Sequence, residues 1–367
     1  MKTVVVNGRF LTKRITGVQR FARGLLDALA QRPPAGIRVV VAAPPGPLVA
    51  PVPPLEIVQD VFPLHGHLWE QLRLPFLFRR LGGDLLWSPC NTGPLAVRRQ
   101  AVTIHDAAVF AGPEWFSPVF RTAYRFLFRS LGRRCRLILT DSEFSRGELA
   151  LHRVADESKI RVVPGGVLPS AGKTPPGPGY VLTLGSRDPR KNVVTLLEGW
   201  KRVPSAAKGG RTLLVAGGGA AAFARERFSE VPEGVRFAGY VADADLPGLY
   251  AGGILFVSPS LYEGFGLPPL EAMAAGVPVL ASDIPVHREV LGSSADYFNP
   301  RDPGELAAKI ADLLSDPHRR DALRRAGRLR AEAFTWQKAA DRLVRAWMEG
   351  GIRDAFEGNN TNLRFGA

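Results

Sequence analysis

The feature that most constrains the fold is an alternation of strand-like and helix-like patterns that occurs twice along the chain. The first series starts with an apolar run at residues 1–6, continues at helical spacing over 18–29 and returns to an apolar run at 36–43. Strand, helix and strand in that order predict a right-handed crossover between parallel strands. A second series starts at residues 180–185. The sequence therefore predicts an α/β protein with two doubly wound sheets.

A stretch rich in proline and glycine, residues 164–179, separates the two series and indicates a linker. We predict one domain over residues 1–167, a second over 168–335, and a terminal helix with a polar tail over 336–367. Doubly wound sheets bind ligands outside the carboxyl ends of their strands. Two such sheets that face each other would place a site in the cleft between them.

Charge and composition narrow the classes of partner. The net charge of +14 is concentrated in residues 1–167, which carry 23 basic and 12 acidic side chains. Such a domain favours an anionic partner: nucleic acid, a phosphorylated substrate or an acidic membrane surface. Two cysteines are too few for a disulfide framework or a four-ligand zinc site. No apolar stretch approaches the roughly 20 residues that span a bilayer, so we expect a cytoplasmic protein, soluble or peripheral.

The sharpest motif is PSLYEGFGLPPLE at residues 259–271. A predicted strand runs into a glycine-bearing loop, and Pro268 fits the first turn of the next helix. Backbone N–H groups of such a loop and helix start can cradle an anion. Glu263 and Glu271 beside that cradle need hydrogen-bond donors, for which sugar and ribose hydroxyls are suited. The alternative is a capping loop with two solvated glutamates.

A second motif, GSRDPRKN at residues 185–192, places three cations at a strand-to-helix turn. Arg187 and Arg190 can clamp phosphate oxygens in a bidentate manner, and Lys191 supplies a compact charge. A solvated turn with surface arginines is the alternative for this motif.

The front domain offers weaker signals. Gly17, in RITGVQR, allows close backbone approach at a helix start, although an ordinary helix start explains it equally well. His105, in TIHD, follows a predicted strand and should point into the cleft, unless the adjacent Asp106 makes the pair a local turn cap. Asp243 and Asp245 form a D-x-D before a predicted helix, where aspartate commonly caps, so we assign no metal there.

Three arginines, Arg121, Arg125 and Arg129, repeat every four residues within residues 116–136. They form one basic stripe on a predicted amphipathic helix. Such a helix fits a membrane surface or an acidic acceptor, or else packs on its sheet with a solvated arginine face.

With these motifs in place, the chain resembles the retaining glycosyltransferases of family 4, which have the two-domain GT-B fold. In the back half the resemblance rests on VLTLGSRDPRKN, VRFAGYVADADLPGLYAGG, LFVSPSLYEGFGLPPLEAMAAGVPVLASDIPVHREVLG and FTWQKAA. In the front half it rests on the looser ITGVQRFARGLL, TIHDAAVF and TDSEFSRGELA.

The resemblance implies roles for the back-half residues. Glu271 would bind the nucleotide ribose, and Glu263 the hydroxyls of the donor sugar. Lys191 would bind the diphosphate, with Arg190 beside it. Ser186 stands where the family often has an arginine, and either Arg187 or Arg190 could substitute. The remaining donor contacts are the loop of Gly264, Phe265, Gly266 and Leu267, and the base-binding backbone of Tyr240 and Val241.

The resemblance also implies roles in the front half and a reaction. The Gly17 N–H would face the diphosphate, His105 would approach the donor sugar, and Trp336 would begin a helix that returns to the front domain. His105, Glu263 and Lys191 are the implied catalytic residues. No cofactor and no divalent metal are expected, because the cations stabilise the leaving diphosphate.

We therefore expect a retaining hexosyltransferase in cell-surface polysaccharide synthesis. The favoured donor is GDP-mannose, with a UDP-sugar as second candidate. The acceptor would be a glycan or a lipid-linked glycan at the inner face of the plasma membrane. A sugar phosphorylase or a nucleotide-sugar epimerase of the same fold is the alternative. A non-enzymatic anion-binding module ranks lower, and nucleic acid is not expected, because no recognition motif for it appears.

Overall fold

The computed structural model describes residues 1–49, 51–168, 179–185, 188–218 and 231–352, and these contain two parallel sheets. The first has the strand order β3-β2-β1-β4-β5-β6-β7 and the second the order β10-β9-β8-β11-β12-β13. The strands are β1 Lys2–Asn7, β2 Ile37–Ala43, β3 Glu56–Gln59, β4 Leu85–Ser88, β5 Gln100–Thr103, β6 Leu137–Thr140, β7 Ile160–Val162, β8 Tyr180–Leu184, β9 Leu213–Ala216, β10 Val235–Gly239, β11 Gly253–Ser258, β12 Val279–Ser282 and β13 Asp296–Phe298. The predicted pair of doubly wound sheets is confirmed.

Helices cover both faces of each sheet. They are α1 Gly17–Gln31, α2 Gly66–Leu72, α3 Leu74–Arg80, α4 Ala108–Ala111, α5 Pro118–Arg134, α6 Glu143–Leu151, α7 Val193–Arg202, α8 Ser205–Lys208, α9 Leu246–Ala251, α10 Leu267–Ala274, α11 Pro285–Leu291, α12 Pro303–Ser315, α13 Pro317–Ala331 and α14 Trp336–Trp347. Because both faces of a parallel sheet are covered, its strands are apolar on both sides, as at Val4, Val5 and Val6, which are all fully buried.

Each sheet reverses its strand order at one central pair, β1 and β4 in the front sheet and β8 and β11 in the back sheet. The segments after β1, β8 and β11 lead to Gly17, Lys191 and Glu263, and His105 follows the neighbouring strand β5. Such a reversal point is where ligands bind in open α/β sheets. The topology thus brings the motifs to the two facing switch points.

The last helix, α14, packs on α1 of the front domain. Leu343 and Trp347 are fully buried in the core that surrounds Leu25. At Gly24 of α1 a Cβ atom would lie 2.4 Å from the Trp336 ring, so only glycine lets the two helices approach this closely. The exact domain limits at 167/168 and 335/336 stay predictions, since most of the linker and the polar tail (353–367) lie outside the described residues.

Some elements differ from the sequence-based expectation. The first helix begins one residue earlier and ends two residues later than the predicted span 18–29. Strand β3 and the helices α2 and α3 carry no clear period in the sequence and were not predicted. No helix within the described ranges is both long enough and apolar enough to cross a membrane.

Candidate functional site

The glutamate-bearing loop runs from the end of β11 to the start of α10 and contacts the front domain directly. Gly266, at the N-cap of α10, has a φ of 91°, a conformation that favours glycine. The carbonyl of Gly264 accepts hydrogen bonds from the hydroxyls of Ser142 at 2.6 Å and Ser145 at 3.0 Å. A Cβ atom at Gly264 would lie 2.4 Å from the carbonyl oxygen of His105, so glycine is required for this contact between the domains.

Glu263 is paired within its own domain. Its Oε1 accepts a hydrogen bond from Lys191 Nζ at 2.5 Å and another from Ser260 Oγ at 2.7 Å. Burial alone would raise the pKa of Glu263, but the Lys191 ammonium and these hydrogen bonds outweigh it and lower the pKa. Glu263 is therefore ionised at neutral pH and lies beside a cation.

Lys191 reaches that position because of the turn after β8. Gly185 has a φ of 117°, and a Cβ atom there would lie 2.7 Å from the Lys191 side chain. Asn192 adopts a left-handed conformation and anchors the turn by donating to the carbonyls of Pro259 and Pro300. The two predicted motifs, at 185–192 and 259–271, therefore meet side by side.

Glu271, the second glutamate, is paired across the cleft. Arg20 of α1 donates from Nη1 to both Glu271 oxygens, at 3.0 and 3.2 Å, and from Nη2 to Asp243 at 2.9 Å. Tyr250 donates its hydroxyl to Glu271 Oε2 at 2.6 Å. Asp245 occupies the N-cap position of α9 as its place before the helix suggests, but its side chain makes no capping hydrogen bond, and Asp243 pairs with Arg20.

Arg190 is held by two carboxylates. It pairs with Asp188 of its own turn at 2.7 Å and with Asp106 of the front domain at 3.1 Å. Asp106 also accepts from the N–H of Ala108 at 2.9 Å, which is the local turn cap considered above. Ser186 and Arg187 lie outside the described residues, so the choice of the substituting arginine stays a prediction.

His105 is buried where the domains meet. Its Nδ1 lies 2.7 Å from Asp141 Oδ2, and its Nε2 lies 3.0 Å from the Pro89 carbonyl oxygen. Both neighbours are hydrogen-bond acceptors. A ring that donates from both nitrogens must carry two protons, which is the imidazolium form. Burial lowers the pKa of His105, but the Asp141 carboxylate more than offsets this and raises it. The ring nitrogens are thus engaged by the front domain, and the ring lies perpendicular to that of Phe21, with 4.9 Å between the ring centroids.

The remaining donor-side predictions lie along the same cleft. Gly17 is the first residue of α1, and a Cβ atom there would meet nothing within 4 Å, so the space in front of it is open. Tyr240 stacks under the Arg14 guanidinium, with 3.4 Å between the guanidinium carbon and the ring centroid. Its hydroxyl donates to the Ile15 carbonyl at 3.4 Å. Val241 and Leu267 pack against the back-domain core, which contains Phe265.

The predicted arginine stripe lies on α5. Arg121 donates to the Pro113 carbonyl at 3.4 Å and Arg125 to the Val109 carbonyl at 2.7 Å, whereas the exposed Arg129 lies over the Phe110 ring. Two of the three arginines therefore also fasten α5 to the segment before it. Val119 and Phe126 on the same helix are 82% and 68% exposed, so the surface is both basic and apolar.

Sequence reasoning missed two features of the site. The first is Arg20, whose partners are more than 220 residues away. The second is a cavity of about 400 Å³ in the front domain, which opens beside Gly17. Its polar wall comes from Asn7, Arg9, Lys13, Arg14, Thr16, Gln19, Glu70 and Asn91. The sequence signals that relate to this cavity are the basic character of RITGVQR and the net charge of the front domain.

Together the described residues form a cleft with a partly buried lysine–glutamate pair, a second carboxylate held from both sides and open space at a helix start. Such an array can bind hydroxyl groups and stabilise a developing anion. Within the described ranges, no group of three or more His, Cys, Asp or Glu side chains could hold a metal ion.

Comparison with known proteins identifies two family models on this chain. The model of the glycosyltransferase family 4 matches residues 15–170, and the model of the glycosyl transferases group 1 matches residues 169–330. The two matches overlap at residues 169–170, within the predicted linker.

Two relatives and one solved structure illustrate the similarity. The chain is 34% identical to O-antigen chain mannosyltransferase B of Escherichia coli over 277 residues, 69% of this chain and 71% of that protein. It is 33% identical to the O-antigen chain mannosyltransferase RfbU of Salmonella typhimurium over 253 residues, 68% of this chain and 69% of that protein. The structure of Anabaena HepE in complex with UDP-glucose superimposes with a TM-score of 0.70 at 18% identity, covering 95% of this chain and all of that one.

Proposed function

The chain belongs to the glycosyl transferases group 1 family and is a glycosyltransferase, and from this premise we propose a specific reaction for it. It transfers a hexose, mannose in the first instance, from a nucleotide-diphosphate sugar to a hydroxyl of a glycan or lipid-linked acceptor. The anomeric configuration is retained, and neither a divalent metal nor a cofactor is needed. This transfer is a step in the synthesis of a cell-surface polysaccharide.

One observation carries this proposal: the pairing of Lys191 with Glu263 at the switch point of the back sheet. The leaving nucleoside diphosphate gains negative charge as its bond to the sugar breaks. A preorganised cation beside that oxygen stabilises the transition state, and the loss of one such donor typically costs about 3–4 kcal/mol. Lys191 fills that role in the proposal, so no metal ion is required for it.

The two glutamates bind hydroxyl groups in this scheme. Glu263 is ionised, accepts hydrogen bonds readily and lies in the loop that meets the front domain near His105. Glu271 accepts from the nucleotide ribose. With Glu263 committed to the sugar hydroxyls, the acceptor hydroxyl attacks on the face from which the diphosphate departs and passes its proton to the departing diphosphate oxygen, and the configuration at the anomeric carbon is kept.

The choice of donor rests on the relatives. Two proteins at 33–34% identity are named O-antigen chain mannosyltransferases, which favours mannose and GDP-mannose here. The fold neighbour HepE is bound to UDP-glucose, so a UDP-sugar is the second candidate.

The place of action follows from the charge of the front domain. The helix α5 presents Arg129 with the exposed Val119 and Phe126, a mixture that suits the headgroup region of an anionic membrane. We infer a cytoplasmic protein that meets a lipid-linked acceptor at the inner face of the plasma membrane.

Calorimetry tests the donor assignment. GDP, UDP, ADP and their hexose conjugates are titrated into the wild type, Lys191→Ala and Glu271→Ala in the presence of EDTA. We expect tight binding of one nucleotide in the wild type, weakened in both variants. Lys201→Ala is the matched control, since Lys201 is an exposed lysine of α7 that pairs with Glu198. Nucleotide binding that requires a divalent metal would overturn metal independence, and an absence of all nucleotide binding would overturn the donor site.

Product analysis tests the reaction class. The anomeric configuration of the product, read by NMR, must equal that of the donor sugar. Release of a sugar phosphate when inorganic phosphate is the acceptor would instead indicate a phosphorylase, and a changed sugar on the unreacted nucleotide would indicate an epimerase.

A further inference from the structure

A buried histidine of the back domain lies directly behind the glutamate-bearing loop. His287, on α11, and Ser282, at the end of β12, are both fully buried. The ring nitrogen Nδ1 lies 2.9 Å from the Ser282 carbonyl oxygen and 3.2 Å from its Oγ, and Nε2 lies 3.4 Å from Ser258 Oγ. A buried imidazole needs hydrogen-bond partners that an apolar side chain of the same size would not need. Packing alone therefore gives no reason for a histidine at this position.

The hydrogen bonds of His287 define the state of its ring. A carbonyl oxygen only accepts, so Nδ1 carries a proton and donates to Ser282. Burial lowers the pKa of His287, and this outweighs the opposite effects of the Glu263 carboxylate and of the bond to Ser282. A neutral ring that is protonated at Nδ1 accepts at Nε2, and the Ser258 hydroxyl is the donor. Both ring nitrogens thus have partners within the back domain.

A chain of hydrogen bonds connects this ring to the proposed site of sugar binding. Ser282 donates its hydroxyl to the Ser260 carbonyl at 2.5 Å. Ser260 in turn donates its own hydroxyl to Glu263 Oε1 at 2.7 Å, and the same oxygen accepts from Lys191. Both serines are buried, so bulk water does not compete for these bonds. The position of the Glu263 carboxylate is therefore linked to His287 through two serines.

The ring also lies behind the far end of the loop. A Cβ atom at Gly266, the N-cap of α10, would lie 3.5 Å from His287 Cδ2 and 3.6 Å from Nε2. The ring is thus next to the loop after Glu263, and it is bonded to Ser258 just before the loop. A side chain that supports a short loop at both ends restricts the positions that the loop can adopt.

We propose that His287 is a positioning residue for the transfer reaction. Through Ser282 and Ser260 it holds the glutamate-bearing loop so that Glu263 lies beside Lys191 and faces the donor sugar. The inference rests on the proposed function, in which Glu263 binds the sugar hydroxyls. His287 itself touches no substrate in this scheme, and its effect on the reaction is transmitted by the loop.

The test measures how much the sugar adds to donor affinity. The nucleoside diphosphate and the nucleotide sugar that the donor titration selects, GDP and GDP-mannose in the first instance, are titrated calorimetrically into the full chain. The sugar contribution is the Kd of the nucleoside diphosphate divided by the Kd of the nucleotide sugar. A general defect in folding changes both constants alike, whereas a displaced Glu263 changes only the second.

Two variants of nearly the same shape separate hydrogen bonding from packing. In His287→Asn the amide nitrogen takes the place of Nδ1 and still donates to Ser282, whereas His287→Leu has no donor. Both substitutions remove the same part of the ring. His318→Leu, at an exposed histidine of α13, is the matched control.

We expect His287→Leu to lower the sugar contribution by about fivefold. This is less than the roughly tenfold effect of losing one hydrogen bond to a charged group, because Glu263 is displaced and not removed. His287→Asn should keep the sugar contribution within about twofold of the wild type, and His318→Leu should leave it unchanged. In the Glu263→Ala background, His287→Leu should have no further effect on it, since the group through which His287 acts is absent.

Equal losses in the leucine and asparagine variants would show that His287 only fills space, and the proposal would fail. It would also fail if His287→Leu kept the wild-type sugar contribution, or if the loss persisted without Glu263. Should a variant at His287 lack a cooperative thermal transition, Ser282→Ala breaks the same chain with a smaller change. Ser282→Ala should also lower the sugar contribution, and an unchanged value would overturn the proposal. Failure of every nucleotide to bind, or a sugar contribution that Glu263→Ala leaves unchanged, is a separate result that overturns the proposed function itself.

Discussion

The two glutamates of the cleft occupy the same loop-and-helix segment but are paired in opposite ways. Glu263 finds its partners, Lys191 and Ser260, within the back domain. Glu271 is held by Tyr250 of the back domain and by Arg20 of the front domain. In the proposed donor site, the charge partner of Glu263 at the sugar end thus lies in the same domain, whereas Glu271 at the nucleotide end has its charge partner in the other domain.

The two kinds of pairing fit two different roles in the proposed reaction. A lysine–glutamate pair within one domain has its charge partner there already, which suits the group proposed to stabilise the leaving diphosphate. A carboxylate shared across the cleft links nucleotide binding to the contact between the domains. The comparison predicts that substitutions at the Glu263 end lower turnover in addition to affinity, and that those at the Glu271 end change mainly affinity, in a manner that depends on Arg20.

The largest effect is expected for Lys191→Ala. The substitution removes the cation proposed for the leaving diphosphate, and kcat should fall by about 10²–10³-fold, the range for the loss of a preorganised donor. Initial rates at saturating donor measure this, with Lys201→Ala as the control for the loss of a lysine in the same domain. A fall of less than about tenfold would mean that another cation carries the charge, and the assignment of the sugar end would fail.

An intermediate effect is expected for Arg20→Gln. Arg20 orients the Glu271 carboxylate through both of its oxygens, so nucleotide affinity should weaken by about 5–30-fold, the coupling usual for side chains in one ion-pair network. In the Glu271→Gln background the same substitution should change the affinity less than twofold. A 2′,3′-dideoxy nucleotide, which lacks the ribose hydroxyls, should be insensitive to Arg20 in both backgrounds.

The control for this double-mutant cycle of Arg20 and Glu271 is Arg38→Gln, which breaks an exposed ion pair with Glu56 on the strands β2 and β3. Equal losses from Arg20→Gln with and without Glu271 would show that the two residues act independently. In that case the contrast between the two ends of the donor site would not hold.

The contrast between contacts within one domain and contacts across the cleft also explains which features the sequence could predict. The sheets and the motifs at 185–192 and 259–271 are local patterns: an apolar run, a glycine that permits a turn, and a helix start. Both motifs follow strands at the switch point of one sheet, so their meeting in space was predictable from topology. Lys191 and Glu263 therefore emerged as candidates from the residues alone.

The contacts across the cleft were not predictable in this way. Arg20 lies on the polar face of the amphipathic helix α1, where an arginine is common. Its partner Glu271 is 251 positions further along the chain. The front-domain cavity draws its lining from four separate segments, so no single pattern marks it. Strand β3 is half exposed at the sheet edge and lacks the continuous apolar run of the inner strands.

The smallest effect is a pH dependence of stability at Glu263. Its pKa in the folded protein lies below the ordinary value of 4.5, because Lys191 and the hydrogen bonds outweigh burial. The folded state thus binds this proton more weakly than the unfolded state does, and the resulting stabilisation is present above pH 4.5 and is lost as the pH falls through the lowered value. We expect the wild type to exceed Glu263→Gln in Tm near pH 7, by about 2 °C or more, and the difference to shrink below pH 4.5.

Repeating both measurements in the Lys191→Met background should remove this trend, since the cation that lowers the pKa is gone. A difference that is independent of pH, or a trend that survives without Lys191, would show that the pair does not hold Glu263 ionised, and the sugar end would then lose the fixed charge that distinguishes it from the nucleotide end.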